Sequence, residues 1–226
     1  MLRGMRDVFH EQLDSVTDGL VTMAELVRKA VDQGTRALLD GDGEAAEQVI
    51  SGDAEIDAWR ERIEQTCFEL MSLQQPVATD LRTLVAALRM VSELERMGDL
   101  ATHVAKIARL RVPESAVPED LVPVVERMGT VSELMVAKVG LVIERRDVGA
   151  ARDLIEIDEE MDSLRRRTFR EVLDSSWDHG VEPAIDIALL GRYYERIADH
   201  AVSIAKRVIF LVTGEDLVLT NSSRTQ

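Results

Sequence analysis

Cysteine is nearly missing from this chain. Cys67 stands alone among 226 residues, which excludes an intrachain disulfide and a cysteine-based zinc site. Aromatic residues make up only 4%. Leu, Val, Ile, Ala and Met dominate the 46% hydrophobic share, a balance that leans towards an all-α fold with a real core. Basic charge is short as well: 27 Lys and Arg stand against 42 Asp and Glu, a formal net charge of −15. A nucleic-acid binder needs a basic face to neutralise phosphates, so the balance argues against that class. Electrostatic docking on anionic lipid is disfavoured for the same reason. Basic protein surfaces and cations are the partners such a chain suits. Charges interrupt every apolar stretch before the roughly 18 residues a membrane helix needs, and the opening MLRGMRDVFH has no apolar signal core. The expectation is a cytoplasmic chain without signal peptide or membrane span.

Signatures of catalysis are missing too. The chain holds no H-E-x-x-H, no G-x-x-x-x-G-K-[ST] and no G-x-G-x-x-G. No E-x-x-H occurs, which disfavours a ferritin-type di-iron oxidase, and no Ser or Cys sits in a nucleophile motif.

What is present is helical periodicity over most of the length. Three segments, about 6–39, 44–73 and 78–110, are separated by DGDG (Asp40 to Gly43) and by QQP ending at Pro76; glycine, aspartate and proline are poor helix formers and mark turns. Three of the five prolines then fall in VPESAVPEDLVP, Val112 to Pro123. A second trio follows at about 121–144, 148–175 and 183–212. Long helices with short turns favour antiparallel neighbours. The expected division is a first three-helix bundle over 1–111, a proline-rich linker over 112–123, a second three-helix bundle over 124–213, and a flexible tail over 214–226.

The trios repeat one another. AAEQVISGDAEID, Ala45 to Asp57, aligns without a gap on AARDLIEIDEEMD, Ala150 to Asp162, at an offset of 105 residues. ERMGD, Glu95 to Asp99, aligns on ERIAD, Glu195 to Asp199, at an offset of 100, and Ala101, Ala105 and Lys106 match Ala201, Ala205 and Lys206. Duplication of one bundle explains this better than six unrelated helices.

The acids that recur lie on helix interiors. Positions three or four apart share a helical face. Leu84, Leu88, Val91, Glu95 and Asp99 form one such ridge, and Ala184, Ala188, Gly191, Glu195 and Asp199 step identically. Asp53 and Asp57 continue the stripe of Ala46, Val49 and Ile50, as Asp158 and Asp162 continue that of Ala151, Leu154 and Ile155. The third segment's stripe drifts towards Leu94, Met97, Ala101 and Ala105, so Glu95 and Asp99 belong either to the stripe or to its edge. A single D/E-x-x-x-D usually marks a solvated face, where like charges cost only about 0.2–0.5 kcal/mol. Four partly buried carboxylates would cost several kcal/mol, because desolvation and repulsion both oppose ionisation. Protonation, arginine or a cation must offset that. Arg96 and Arg196 each point about 100° away from the neighbouring Glu. Oxygen donors without cysteine suit a hard divalent or iron cation: Mg²⁺, Mn²⁺, Ca²⁺ or iron. Gly98 and Ala198 would let a neighbouring helix come close.

Other residues carry less. His10, His103, His179 and His200 do not recur between the halves; His103 follows Asp99 by four, but its counterpart is Ser203. Cys67 falls in the apolar register after Ile63 and reads as core. Trp59 and Trp177 read as packing residues, and Tyr193 and Tyr194 as core or interface. Three functional classes stay open: a signalling adaptor that docks partners, a metal-dependent enzyme such as a hydrolase of phosphate compounds, or a structural helical spacer, which would not need the acids in place. The enzyme would need an additional base, and none recurs.

The doubled ERMGD and ERIAD, each after an acidic DAEID or DEEMD, resemble the PhoU family, from MRDVFHEQLDSV to about Val212. The resemblance implies two three-helix bundles and a cytosolic, non-enzymatic protein. Its implied role is to couple a phosphate ABC transporter, through the ATPase subunit, to a sensor histidine kinase and to repress the phosphate-starvation response. It also implies a homodimer and metal clusters on Asp53, Asp57, Glu95 and Asp99 in one half and on Asp158, Asp162, Glu195 and Asp199 in the other. Ala198 departs from the glycine more usual in the family.

Overall fold

The structure is a computed structural model that describes residues 2–74, 76 and 79–214, with side chains from residue 9 onward except 73 and 74. Six helices run through the described residues: α1 (Leu2–Asp40), α2 (Gly43–Gln74), α3 (Thr79–Arg111), α4 (Val122–Arg145), α5 (Val148–Leu173) and α6 (Val181–Thr213). No strand occurs among the described residues. Of the tail expected to be flexible, only Gly214 lies within the described residues.

The turns repeat as the helices do. The Asp42 carboxylate accepts from the backbone N–H of Glu44 and Ala45 at the start of α2, and Asp147 accepts from Gly149 and Ala150 at the start of α5. These caps, 105 residues apart, satisfy donors that a helix start leaves unpaired. The residue before each cap is left-handed: Gly41 at φ 66° and Arg146 at φ 51°. The αL conformation ends α1 on a glycine but α4 on an arginine, whose Cβ makes it less favourable.

α1, α2 and α3 pack on one another, as do α4, α5 and α6; α1 also lies along α4 and α3 along α6. The inner four helices join both bundles into one continuous apolar core that includes Leu20, Met23, Leu94, Met97, Met128, Met135, Ile197 and Ile204. α2 and α5 form the outer flanks. The proline-rich connection is packed down: Ala116, Val117 and Leu121 are buried.

Polar pairs fix the register between the bundles. Thr35 of α1 donates to the Val31 carbonyl at 2.7 Å and takes the Tyr194 hydroxyl of α6 at 2.8 Å. Burial pushes the Tyr194 phenol well above its usual range. A Cβ on Gly129 would collide with the Thr35 side chain, so glycine is required where α1 crosses α4. Arg111, at the end of α3, holds the buried Asp186 of α6 through two contacts at 2.7 and 3.2 Å. Of the two adjacent tyrosines, Tyr194 is therefore core, while Tyr193 is half-buried with its ring 5.4 Å from that of His103. Cys67 lies fully in the core. Trp59 and Trp177 pack against its edge.

Candidate functional site

Each bundle places its recurring acids between the outer helix and one inner helix: α2 with α3, and α5 with α6. The approach is close at the first site. A Cβ on Gly98 would meet Ile56 Cδ1 at 2.9 Å and the Asp53 carboxylate at 3.6 Å. The second site has Ala198 there, fully buried, and the position 105 residues after Ile56 holds Met161. A flexible methionine in place of β-branched isoleucine leaves room for a methyl group.

Asp53 and Glu95 are half-buried; Asp57 and Asp99 are exposed. Burial raises the Asp53 carboxyl above the ordinary range, Asp99 and Asp57 add to it, and a hydrogen bond from Thr102 and the charge of Lys106 oppose it. Glu95 is raised by burial and then by Asp99, against the pull of Arg60. The four acids therefore share one electrostatic field across α2 and α3. Glu95 and Asp99 occupy the edge of the apolar stripe, with Leu94, Met97 and Ala101 turned fully inward.

The second site repeats the scheme in tighter form. Asp158 is half-buried and its carboxyl is pushed up to about 6, by burial first and then by Asp199 and Asp162, with Lys206 opposing. Asp199 is exposed, yet partial desolvation and then Glu195 raise its carboxyl too. Glu195 is buried, with only 9% of its surface exposed. Arg165 of α5 lies 2.9 Å from one of its oxygens, and Arg192 hydrogen-bonds the other. Asp162 is exposed, 4.0 Å from Arg166.

Arginine from the outer helix thus supplies neutralising charge beside Arg192, Lys106 and Lys206 of the inner helices. Arg60 stands 3.6 Å from Asp57 and 3.5 Å from Glu64, at the position that Arg165 occupies 105 residues later. Arg96 and Arg196 are exposed, and Arg96 adds only a smaller pull on Glu95 than Arg60 does. Reading the acids alone missed this pair, although Arg60 lies three residues after Asp57 and seven after Asp53, on the same helical face. The Nε atoms of Arg60 and Arg165 are buried without a hydrogen-bond partner, so neither guanidinium is fully saturated.

The oxygen donors suit a hard cation, and three of the eight aspartates and glutamates at these sites besides Asp158 are held above their ordinary range. Among the described residues, however, no three Asp, Glu, His or Cys side chains converge on a common point. A cation would require these carboxylates to turn towards one another, which the first site permits more easily because Arg60 grips Asp57 only at 3.6 Å. His103 is turned away: its Nδ1 is 2.7 Å from the Asp99 backbone carbonyl. His200 belongs to another cluster, with Nδ1 2.6 Å from the buried Glu93, which Arg207 also approaches at 3.5 Å.

Among the described residues no helix is long and apolar enough to cross a membrane. The family model for the PhoU domain matches the chain twice, over residues 20–108 and 125–208, one match to each bundle. The phosphate-specific transport system accessory protein PhoU homolog 2 of Mycobacterium tuberculosis is 44% identical over 210 residues, covering 93% of this chain and 99% of that protein. A PhoU homolog of Pseudomonas aeruginosa is 31% identical over 92% of this chain and 87% of its own length. Two crystal structures share the architecture: PhoU from Pseudomonas aeruginosa, with a TM-score of 0.86 at 31% identity over 92% of this chain and all of that one, and the phosphate transport system regulatory protein PhoU from Streptococcus pneumoniae, with 0.83 at 27% over 92% and 99%. With the doubled domain, the duplicated acids and relatives matched over nearly the whole length, this chain belongs to the PhoU family.

Proposed function

We propose that this chain is a non-enzymatic accessory protein of a phosphate-specific transport system, and that it works in the cytoplasm by contact with partners. The observation that supports this most directly is the pair of equivalent carboxylate sites, kept between helices at the cost of raised protonation, in a chain whose relatives are named as transport accessory proteins. Acids held under that repulsion have a use beyond stability. The partners are the transporter's ATPase subunit and a sensor histidine kinase, and the chain acts as a homodimer. It restrains the phosphate-starvation response when phosphate is ample.

Asp53, Asp57, Glu95 and Asp99 would hold a cation at one site and Asp158, Asp162, Glu195 and Asp199 at the other, as Mg²⁺, Mn²⁺, Ca²⁺ or iron. The ion would supply positive charge where the acids repel one another. The chain's own arginines already supply part of it, so occupancy sets the charge presented to a partner and does not create the fold. A basic patch on either partner would find its complement here.

Replacing Asp53 by Asn together with Glu95 by Gln tests the reading in cells. Starvation genes are expected to switch on in high phosphate at normal protein abundance. Full repression by the variant would remove the functional claim from this site. Phosphatase turnover by the purified chain with Mg²⁺ or Mn²⁺ would instead restore the enzymatic alternative.

A further inference from the structure

A groove of about 240 Å³ runs between the N-terminal third of α3 and the C-terminal end of α6, away from both carboxylate sites. Its floor and rim carry Leu81, Val85 and Phe210, which leave 41%, 39% and 39% of their surface in water. Around them stand Arg82, Arg89 and Arg207. In a chain with a net charge of −15, the described residues lining the groove include three arginines and no acid. Arg82 reaches only the Thr79 hydroxyl at 3.5 Å, and among the described residues neither Arg82 nor Arg89 has a carboxylate within ion-pair distance. Arg207 shares Glu93 with His200, which holds its guanidinium at the groove wall.

We propose that this groove receives an acidic amphipathic helix from a partner protein. Leu81 to Arg89 span about 12 Å of helix, a little over two turns. That length matches apolar anchors at i, i+4 and i+7 on a docked helix. Leu81 and Val85 line one wall, one turn apart, and Phe210 faces them from α6. Arg82 and Arg89 then meet the acidic flank of the incoming helix, where each makes an ion pair it lacks among the described residues. A membrane is the poorer match, because the chain's large negative charge opposes approach to anionic lipid. The inference goes beyond the transport reading and does not depend on it, since the groove and the carboxylate sites use different helix faces.

The probe is a synthetic, fluorescently labelled peptide of about four helical turns, with Leu at i, i+4, i+7 and i+11 and Glu at most other positions. A second peptide of the same composition has its Leu residues scattered. Anisotropy with the full chain should show saturable binding of the first peptide and none of the second. Affinity should weaken about tenfold between low and moderate salt, as expected for partly exposed charge pairs. Arg82→Glu with Arg89→Glu should abolish binding while leaving the melting temperature unchanged, because both side chains lie at the surface. Val85→Asp should abolish it at every salt concentration. Asp53→Asn with Glu95→Gln should leave it intact, which separates failure here from failure of the transport reading. Equal binding of both peptides, or binding that survives Arg82→Glu with Arg89→Glu, would overturn the proposal. So would binding only to anionic vesicles, or binding that appears only after Glu215→Lys with Asp216→Lys, which would assign the groove to the chain's own end.

Discussion

Arg165 of α5 lies 2.9 Å from Glu195 of α6, and this ion pair closes the second acidic site against an otherwise buried carboxylate. Its counterpart, Arg60, reaches Asp57 only at 3.6 Å, on a side chain with 54% of its surface in water. The two halves have kept the same residues and use them with unequal strength. The first site is looser and more open; the second is sealed by arginine.

Removing the two arginines should therefore have unequal effects. Arg165→Gln leaves Glu195 with Arg192 alone and should destabilise the fold by about 1–2 kcal/mol, short of the value for a fully buried pair because Arg165 is partly exposed. Arg60→Gln, at a solvated pair, should cost about 0.5 kcal/mol or less. Urea denaturation of both variants in chelator measures the difference. Equal losses would show that burial of Glu195 does not set the strength of the pair.

The raised acids of the two sites should subtract from stability as pH rises from about 4 to about 6 in chelator, against the opposite contribution of Glu25, Glu93 and Asp174, whose carboxyls are lowered. Asp158 has its folded carboxyl pushed up to about 6 from an ordinary 3.8, so over that window the folded chain holds a proton that the unfolded chain has released. Stability from this group is present below the unfolded value and lost as pH climbs through the folded one. Asp53, Glu95 and Asp199 are raised as well and act with the same sign. After allowance for solvent screening of a half-buried group, Asp158 alone accounts for about 1 kcal/mol at pH 7. Asp158→Asn should flatten the slope and raise the pH 7 melting temperature. A variant with an unchanged slope would mean that Asp158 does not titrate in this window.

Gly98→Ala should lose about 1–2 kcal/mol of packing, because the new methyl group displaces Ile56 Cδ1 at 2.9 Å, against up to about 1 kcal/mol of helix propensity gained inside α3, for a small net loss. Ile56→Met, which copies the Met161 found with Ala198 in the other half, should recover most of that loss. The double-mutant cycle in denaturant gives the coupling between the two positions. Additive losses would show that Met161 and Ala198 are not a compensating pair.

The helices and the duplication were legible because both leave periodic traces. Apolar residues recur at helical spacing, and Asp53, Glu95 and their partners recur at 105 and 100 residues. The neutralising arginines were less visible because the eye falls on Arg96 and Arg196, which adjoin the acids in sequence but point to solvent. Arg60 and Arg165 carry the same 105-residue signature and share a helical face with Asp53 and Asp158. The joining of two bundles through one core was not legible. It depends on which faces of α1, α3, α4 and α6 are covered twice, and that follows from helix pairing, to which local periodicity is blind. Tyr193 and Tyr194 illustrate the limit: adjacent in sequence, one fills the core against Thr35 and the other sits at the edge beside His103.

The final prediction concerns the cation. In chelator the first-site acids repel one another, so Asp53→Asn with Glu95→Gln should leave stability unchanged or raise it by up to about 1 kcal/mol. Added Mn²⁺ or Mg²⁺ should stabilise the parent chain by RT ln(1 + [L]/Kd), about 2.7 kcal/mol at a hundredfold excess over Kd, provided the ion does not bind the unfolded chain. The variant should lose the part of this response that belongs to the first site. Its second-site equivalent, Asp158→Asn with Glu195→Gln, should lose less, because Arg165 and Arg192 already compete for Glu195. Melting curves of the three proteins across a metal titration, each beside a chelator control, give the comparison. A parent melting temperature indifferent to every cation tried would leave the chain's own arginines and lysines as the neutralising charge. A response lost equally in both variants would mean that the looser grip of Arg60 on Asp57 does not make the first site the better cation binder.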